Sequence, residues 1–388
     1  MSISKENIAY FDNAATTFPK PQSVYEFMNS FYSTYGGNVG RGHHVFANKS
    51  GNLVEDTRLR LLNLFHAENK NIIFTPSATE AMNVILQGIS WQDGMIVYIS
   101  PFEHNAVIRV LHYLKKIYGL KIIQLEVNKK QLSYDMGKIS YQFQEKNPNV
   151  VVLSHASNVC GIVAPIKQIF DKAKKYNSVT VLDMAQTAGL IDMNLNEVQV
   201  DYAVFAGHKT LYGPFGISGF VMDKKMSLRP LLYGGTGVDS ANLELPNSIP
   251  ERYEVGSMNI LGIAGLNAAL RWIEEVGIKK IYEREQQNRK KLLEIMSSHE
   301  NIKVVLSKNG EQIGVVSCVF DGYSSDNIGQ ILDERNIAVR TGLHCAPLAH
   351  KFLNTFPEGT VRFSVNYFTR DDEFEQLKKA LDYIEENS

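Results

Sequence analysis

Cysteine is scarce in this chain. There are three among 388 residues, Cys160, Cys318 and Cys345, far apart and without a C-x-x-C pair. Such usage excludes a disulfide framework and reads as reduced thiols in a cytoplasmic protein. Neither sign of charge is in excess: 40 Lys and Arg face 41 Asp and Glu, for a formal net charge of -1. Nucleic-acid binding needs a basic surplus to neutralise phosphates, and a polybasic membrane-surface protein needs one too, so neither partner is expected. No apolar run approaches the ~18 residues of a membrane span, and Met1 to Asn7 contain no signal-peptide core. Internal repeats and low-complexity stretches are missing, which removes solenoids and propellers. Nucleotide motifs are missing as well. No G-x-G-x-x-G follows a strand, and Gly137-Lys138 lacks the upstream glycine of a phosphate loop because Leu132 stands there.

A hydrophobic fraction of 44% and a charged fraction of 21% are ordinary for a globular chain, and this length suggests two or three domains. Short apolar runs punctuate the first two thirds: Asn71 to Thr75, Met95 to Ile99, Lys121 to Leu125, Val150 to Leu153, Val179 to Leu182, Tyr202 to Phe205 and Ile217 to Val221. They are continuously apolar rather than alternating, as strands covered on both faces are. Helix-period segments such as Ala78 to Ile89 and Asn105 to Tyr118 lie between them. The alternation predicts an α/β architecture, a mostly parallel sheet covered by helices with right-handed crossovers. After about Asn259 the pattern changes. Two long helices are expected, Ile260 to Val276 and Ile278 to Ser297, then strands at Val315 to Phe320, Ile337 to Val339 and Val361 to Val365. Thr369 is the expected N-cap of a last helix whose Phe374, Leu377, Leu381 and Ile384 share one face. We therefore expect a large domain over 15–258 and a smaller α+β domain over 259–388 that includes the N-terminal segment 1–14.

Ligands of open α/β sheets bind beyond the carboxyl ends of the strands. Five consecutive strand ends here carry polar groups: Ser77-Ala78-Thr79-Glu80, Glu103-His104-Asn105, Ser154-His155-Ala156-Ser157-Asn158, Asp183-Met184-Ala185-Gln186 and Ala206-Gly207-His208-Lys209. Pyridoxal 5'-phosphate fits that inventory. Its aldehyde needs a lysine, for which Lys209 is the candidate. Its ring nitrogen needs a carboxylate to stay protonated, for which Asp183 is the candidate. Its phosphate suits helix N-terminal amides and Thr79. Taken singly, each residue has a plainer role: Asp183 as a helix cap, His104 as a core histidine, Asn158 and Gln186 as turn amides, and Arg362 as an interdomain ion pair. Cys160 and Cys318 stand in apolar contexts that suggest core packing. Cys345 instead follows Gly342-Leu343-His344 in a polar loop.

Asp183-x-x-Gln186 and Gly207-His208-Lys209 with Gly213-Pro214-x-Gly216 resemble the class V aminotransferases, fold-type I pyridoxal-phosphate enzymes. So do Tyr10-Phe-Asp-Asn-Ala-Ala-Thr-Thr17 and Gly37-Asn38-Val39-Gly40-Arg41-Gly42-x-His44. Within that family, Arg340-Thr-Gly-Leu-His-Cys-Ala346 is similar to the Suf-type (group II) cysteine desulfurases and selenocysteine lyases. The resemblance implies that Lys209 holds the cofactor covalently and that His104 stacks on its ring. It assigns Asp183 to the ring nitrogen, Gln186 to the phenolic oxygen, and Ala78, Thr79 and His208 to the phosphate. Asn158 and Arg362, with Arg340 and Asn13, would bind the substrate, and Cys345 would accept its sulfur as a persulfide. Ser257 matches a position that reaches the phosphate of a neighbouring subunit, which implies a homodimer. Two departures stand out: Ala206 replaces a usual phosphate-binding serine, and Leu343 replaces a histidine beside Cys345. The expected reaction converts L-cysteine to L-alanine, with sulfur passed to an acceptor protein or a small thiol. The alternatives are a selenocysteine lyase and a non-catalytic member of the fold.

Overall fold

The structure, a computed structural model, describes residues 8–39, 42, 44–239 and 241–387. Met1 to Asn7, and Gly40, Arg41 and His43 of the quoted motif, lie outside the described residues. The seven apolar runs form the seven strands of one sheet. Their order is Lys70–Thr75, Ser218–Asp223, Tyr202–Ala206, Val179–Asp183, Val150–Ser154, Ile96–Ile99 and Lys121–Gln124. Ser218–Asp223 alone runs antiparallel to its neighbours. It follows Tyr202–Ala206 after a loop too short for a crossover helix, so the chain must return in the opposite direction. Strand Val150–Ser154 shows why alternation is missing from the sequence. Val151 and Leu153 enter the apolar core on one face, and Val150 and Val152 the core on the other.

Helices Ala78–Gly88 and Asn105–Tyr118 cover one face. Helices Val45–Leu64, Met136–Glu145 and Ile166–Lys174 contribute to the core on the other face, together with Ile260–Val276. Helix Ile260–Val276 also packs against Gln22–Tyr35 and Val45–Leu64. Helix Ile278–Ser297 then leads into a second, antiparallel sheet ordered Ile302–Val304, Val315–Phe320, Thr360–Ser364 and Arg340–Gly342. The last helix, Asp371–Glu386, buries Phe374, Leu377, Leu381 and Ile384 in the core of that sheet. Its N-cap is Arg370, not Thr369. The Thr369 hydroxyl is already engaged with Asn366, whose backbone N–H donates to it at 3.0 Å. The Glu373 carboxylate instead accepts the Arg370 N–H at 2.7 Å and the Tyr10 N–H at 3.1 Å.

The N-terminal segment ties the two sheets together. Ala9–Tyr10 pairs in parallel with Ile337–Ala338, and the Ser364 N–H donates to the Phe11 carbonyl at 2.6 Å. A few residues further on, the Thr16 and Thr17 hydroxyls donate to the carbonyls of His208 (3.0 Å) and Lys209 (2.9 Å).

Candidate active site

Lys209 stands just beyond strand Tyr202–Ala206, after Gly207. A side chain at Gly207 would put its Cβ 2.2 Å from the Ile217 carbonyl oxygen, so only glycine lets the returning chain pass. Asp183 ends its strand, and its Oδ1 accepts the Ala185 N–H at 2.8 Å. Ser77 caps helix Ala78–Gly88 by accepting the Glu80 N–H at 3.1 Å. The first-turn amides of Ala78 and Thr79 have no intrahelical acceptor by virtue of their position, and such amides form an anion site. His104 caps helix Asn105–Tyr118, its Nδ1 accepting the Ala106 N–H at 3.0 Å. These residues converge. Ala78, Thr79, His104, Asn158, Asp183, Gln186, His208, Lys209, Arg340 and Arg362 line one cavity of about 220 Å³ between the sheets.

Burial and neighbouring cations govern its protonation. Burial, countered by Asp183 and reinforced by Arg362 and Arg340, pushes the Lys209 amine down to about 8. Burial pushes the Asp183 carboxyl up, while the Ala185 N–H and Lys209 pull it down. Burial and nearby cations, Lys209 foremost, take His104 to about 4 and His208 to about 3, so both rings are neutral near pH 7. A depressed lysine makes the ligand-free fold less stable wherever the amine is charged. Between about 8 and the ordinary 10.5 the unfolded chain holds the extra proton, so stability rises with pH across that window. We expect ligand-free Lys209→Met to unfold at higher denaturant than wild type below pH 8, and this advantage to vanish above pH 10.5. A pH-independent difference between the two midpoints would contradict the assignment.

Arg362 makes the ion pair that its sequence context allowed. Its Nη2 donates to Asp12 Oδ1 at 2.6 Å and its Nη1 to the Asn158 carbonyl at 3.0 Å, while its buried Nε has no partner among the described residues. A buried guanidinium held in this way keeps fork geometry for a carboxylate. Asp12 lies inside the N-terminal motif, yet nothing in its spacing marked it as the partner of Arg362. Asn158 Nδ2 donates to the His344 carbonyl at 2.7 Å, which draws the Cys345 loop to the cavity. The Asn105 N–H donates to the Cys345 carbonyl at 2.7 Å, and His344 pairs with the Thr360 hydroxyl at 2.9 Å. His344 and Cys345 both take left-handed backbone angles, φ 47° and 58°, an uncommon conformation that turns the loop sharply. Cys345 Sγ lies 3.5 Å from Arg340 Nη2. It faces a hollow shared with His104 and Thr79, not the cavity itself.

Asn13, expected at the substrate, does not line the cavity, and Ser257, expected at a neighbouring subunit's phosphate, does not line the cavity of its own chain. The Asn13 amide is consumed by a turn. Its nitrogen donates to the carbonyls of Ser364 (2.8 Å) and Tyr10 (3.3 Å), and its oxygen accepts from Phe18 N (3.2 Å) and Asn366 Nδ2 (2.8 Å). Ser257 is exposed and lines a different hollow, beside Arg58, Glu254 and Thr236. The strand-end residues Glu103 and Ser154 were legible as polar but not as a pair. Buried Glu103 accepts the Ser154 N–H (2.9 Å) and hydroxyl (2.8 Å), locking two strand ends beneath the cavity. Burial pushes its carboxyl up to about 7.

The fold and this cavity define a class of protein that comparison with known proteins makes explicit. A sequence profile described as Aminotransferase class-V matches residues 9–377. The chain belongs to the class-V aminotransferase family. It is 30% identical to a probable cysteine desulfurase of Pyrococcus abyssi, over 98% of this chain and 94% of that one. It is 31% identical to another from Haemophilus influenzae, over 98% and 87%. Among solved structures, a cysteine desulfurase from Thermococcus onnurineus superposes with a TM-score of 0.91 at 28% identity, covering 98% of this chain and 95% of that one.

The cofactor of this family is pyridoxal 5'-phosphate, and the residues present fit it. A depressed lysine and a half-buried carboxylate stand in one cavity with helix N-terminal amides at its wall. The buried Nδ1 of His208 has no partner among the described residues. Neutral Ala206 leaves one fewer donor beside those amides.

Proposed function

We propose that this protein is a pyridoxal-phosphate-dependent cysteine desulfurase that releases L-alanine from L-cysteine and takes the sulfur on Cys345. One observation carries the reading: the lysine and carboxylate that the cofactor needs share a cavity with Arg362, while Cys345 stands at its edge beside Arg340. The cofactor would be held by Lys209, with Asp183 for its ring nitrogen, Gln186 for its phenolic oxygen, and Ala78, Thr79 and His208 for its phosphate. Bound there, it supplies an electron sink for the substrate Cα. Arg362 and Asn158 orient the substrate carboxylate. Neutral His104 would stack on the cofactor ring without adding charge. The Lys209 amine, depressed to about 8, is free enough near neutral pH to take the Cα proton and return it. Cys345 Sγ, as thiolate, attacks the substrate sulfur. An S–S bond forms and the Cβ–S bond breaks. The electron pair of that bond stays with the carbon skeleton, which is protonated and leaves as alanine. The persulfide then passes its outer sulfur to an acceptor thiol. Purified protein loaded with the cofactor should release alanine and, with a reductant, sulfide from cysteine in equal amounts. Alanine formation without stoichiometric sulfur would reject the reading.

A homodimer belongs to the same proposal. Exposed Ser257, off the cavity of its own chain, is available to a neighbouring subunit's phosphate, where it would offset the hydrogen bond lost at Ala206. Ser257→Ala should then loosen cofactor retention about 10–100-fold, the net worth of one hydrogen bond to a charged group. Absorbance after dialysis, with light scattering for mass, checks this. A fully active monomer contradicts it.

A further inference from the structure

The backbone at His208 is firmly held. Its carbonyl accepts from the Thr16 hydroxyl at 3.0 Å, the Thr17 N–H at 3.2 Å and the Lys20 amine at 3.3 Å. The imidazole is held differently. Its buried Nδ1 has no hydrogen-bond partner among the described residues, and the ring lies stacked on Phe215, with centroids 4.6 Å apart and planes 27° apart.

The approach of Phe215 is built into the topology. Ala206 and Ser218 are cross-strand partners, so the loop between them folds back on itself. The Gly213 N–H donates to the Gly207 carbonyl at 2.7 Å, and Gly216 turns the chain at φ 79°. The fold therefore returns Phe215 over His208. Phe215 is 64% exposed, so core packing does not account for a large apolar ring at this place.

We propose that Phe215 is a positioning residue for the phosphate end of the cofactor site, fixing the His208 imidazole by stacking where this chain has Ala206 in place of a hydroxyl donor. The proposal rests on His208 being a phosphate ligand, as argued above. It makes a specific demand: Phe215 should matter for the phosphate and not for the pyridine ring. A flat aromatic surface restrains the imidazole plane while leaving its nitrogens to the ligand, and stacked aromatic pairs are worth enough for a several-fold effect.

The test measures dissociation constants of pyridoxal 5'-phosphate and of pyridoxal, which lacks the phosphate, by visible absorbance. It uses the full-length protein and its Phe215→Ala, Phe215→Tyr and His208→Ala variants. Phe215→Ala should weaken pyridoxal 5'-phosphate about 3–10-fold and leave pyridoxal unchanged, and Phe215→Tyr should bind both as wild type does. Wild-type binding by Phe215→Ala overturns the proposal. So does equal weakening of both ligands, which would mark a structural effect, or failure of tyrosine to restore binding. His208→Ala separates the two layers. If it shows the phosphate-selective loss and Phe215→Ala does not, the stacking role fails while the site stands. If His208→Ala shows no selectivity, the phosphate assignment fails first and the proposal with it.

Discussion

Cys345→Ala should lower alanine formation from cysteine by about 10²-fold or more while the protein keeps its bound cofactor. The structure makes this a clean substitution. The loop is anchored through main-chain groups, the Cys345 carbonyl to Asn105 and the His344 carbonyl to Asn158, neither of which the change removes. The lost atom, Sγ, contacts Arg340 and does not line the cofactor cavity. Neither other cysteine can replace it. Cys160 and Cys318 are both 0% exposed, and burial pushes both thiols up, Cys160 to about 11. Turnover of selenocysteine should fall much less, because a selenolate leaves more readily than a thiolate. Near-normal cysteine turnover in the variant would refute the assignment. So would a persulfide mapped to Cys160 or Cys318 after one turnover.

Lys209→Ala should remove covalent attachment of the cofactor and cut turnover by about 10³-fold, within the range lost with a general base. The effect should be large because no other described lysine lines the cavity. Lys20 comes nearest in kind, an amine that burial holds at about 8. Its Nζ, however, is bound to the carbonyls of Thr17 (3.0 Å) and His208 (3.3 Å). Borohydride reduction of the loaded wild-type protein followed by peptide mapping checks the attachment point. Label on Lys20 or any other lysine would overturn it.

What could be read beforehand follows the range of the interactions. The sheet was legible because strands buried on both faces must be continuously apolar, and each run is a local signal. The cavity was legible because topology places strand ends side by side, so polar residues after Ile99, Ser154, Asp183 and Ala206 had to meet. Arg362 was legible as a cation that needs a partner, but not its partner: Asp12 lies 350 residues away, and only the docking of the N-terminal segment joins them. Asn13 was read as a substrate ligand from its motif, but its amide makes four hydrogen bonds within a turn that the motif's spacing does not show. The Thr369 cap failed for a similar local reason, since Asn366 claims its hydroxyl first. Cys345 was singled out by its polar loop, but its position outside the cavity depends on two consecutive left-handed residues that composition does not announce.

The N-terminal strap has a consequence for biosynthesis. Ala9 and Tyr10 leave the ribosome long before their pairing strand, Ile337–Ala338, is made. Asp12 must wait longer still, for Arg362 on strand Thr360–Ser364. The seven-stranded sheet, by contrast, is fully encoded by Asp223. A growing chain that has just passed Asp223 therefore carries Asp183, His208 and Lys209 of the cavity but not Arg340, His344 and Arg362, which line it from later in the sequence. The cavity wall is complete only once Arg340, His344 and Arg362 have been made, after the whole of the seven-stranded sheet.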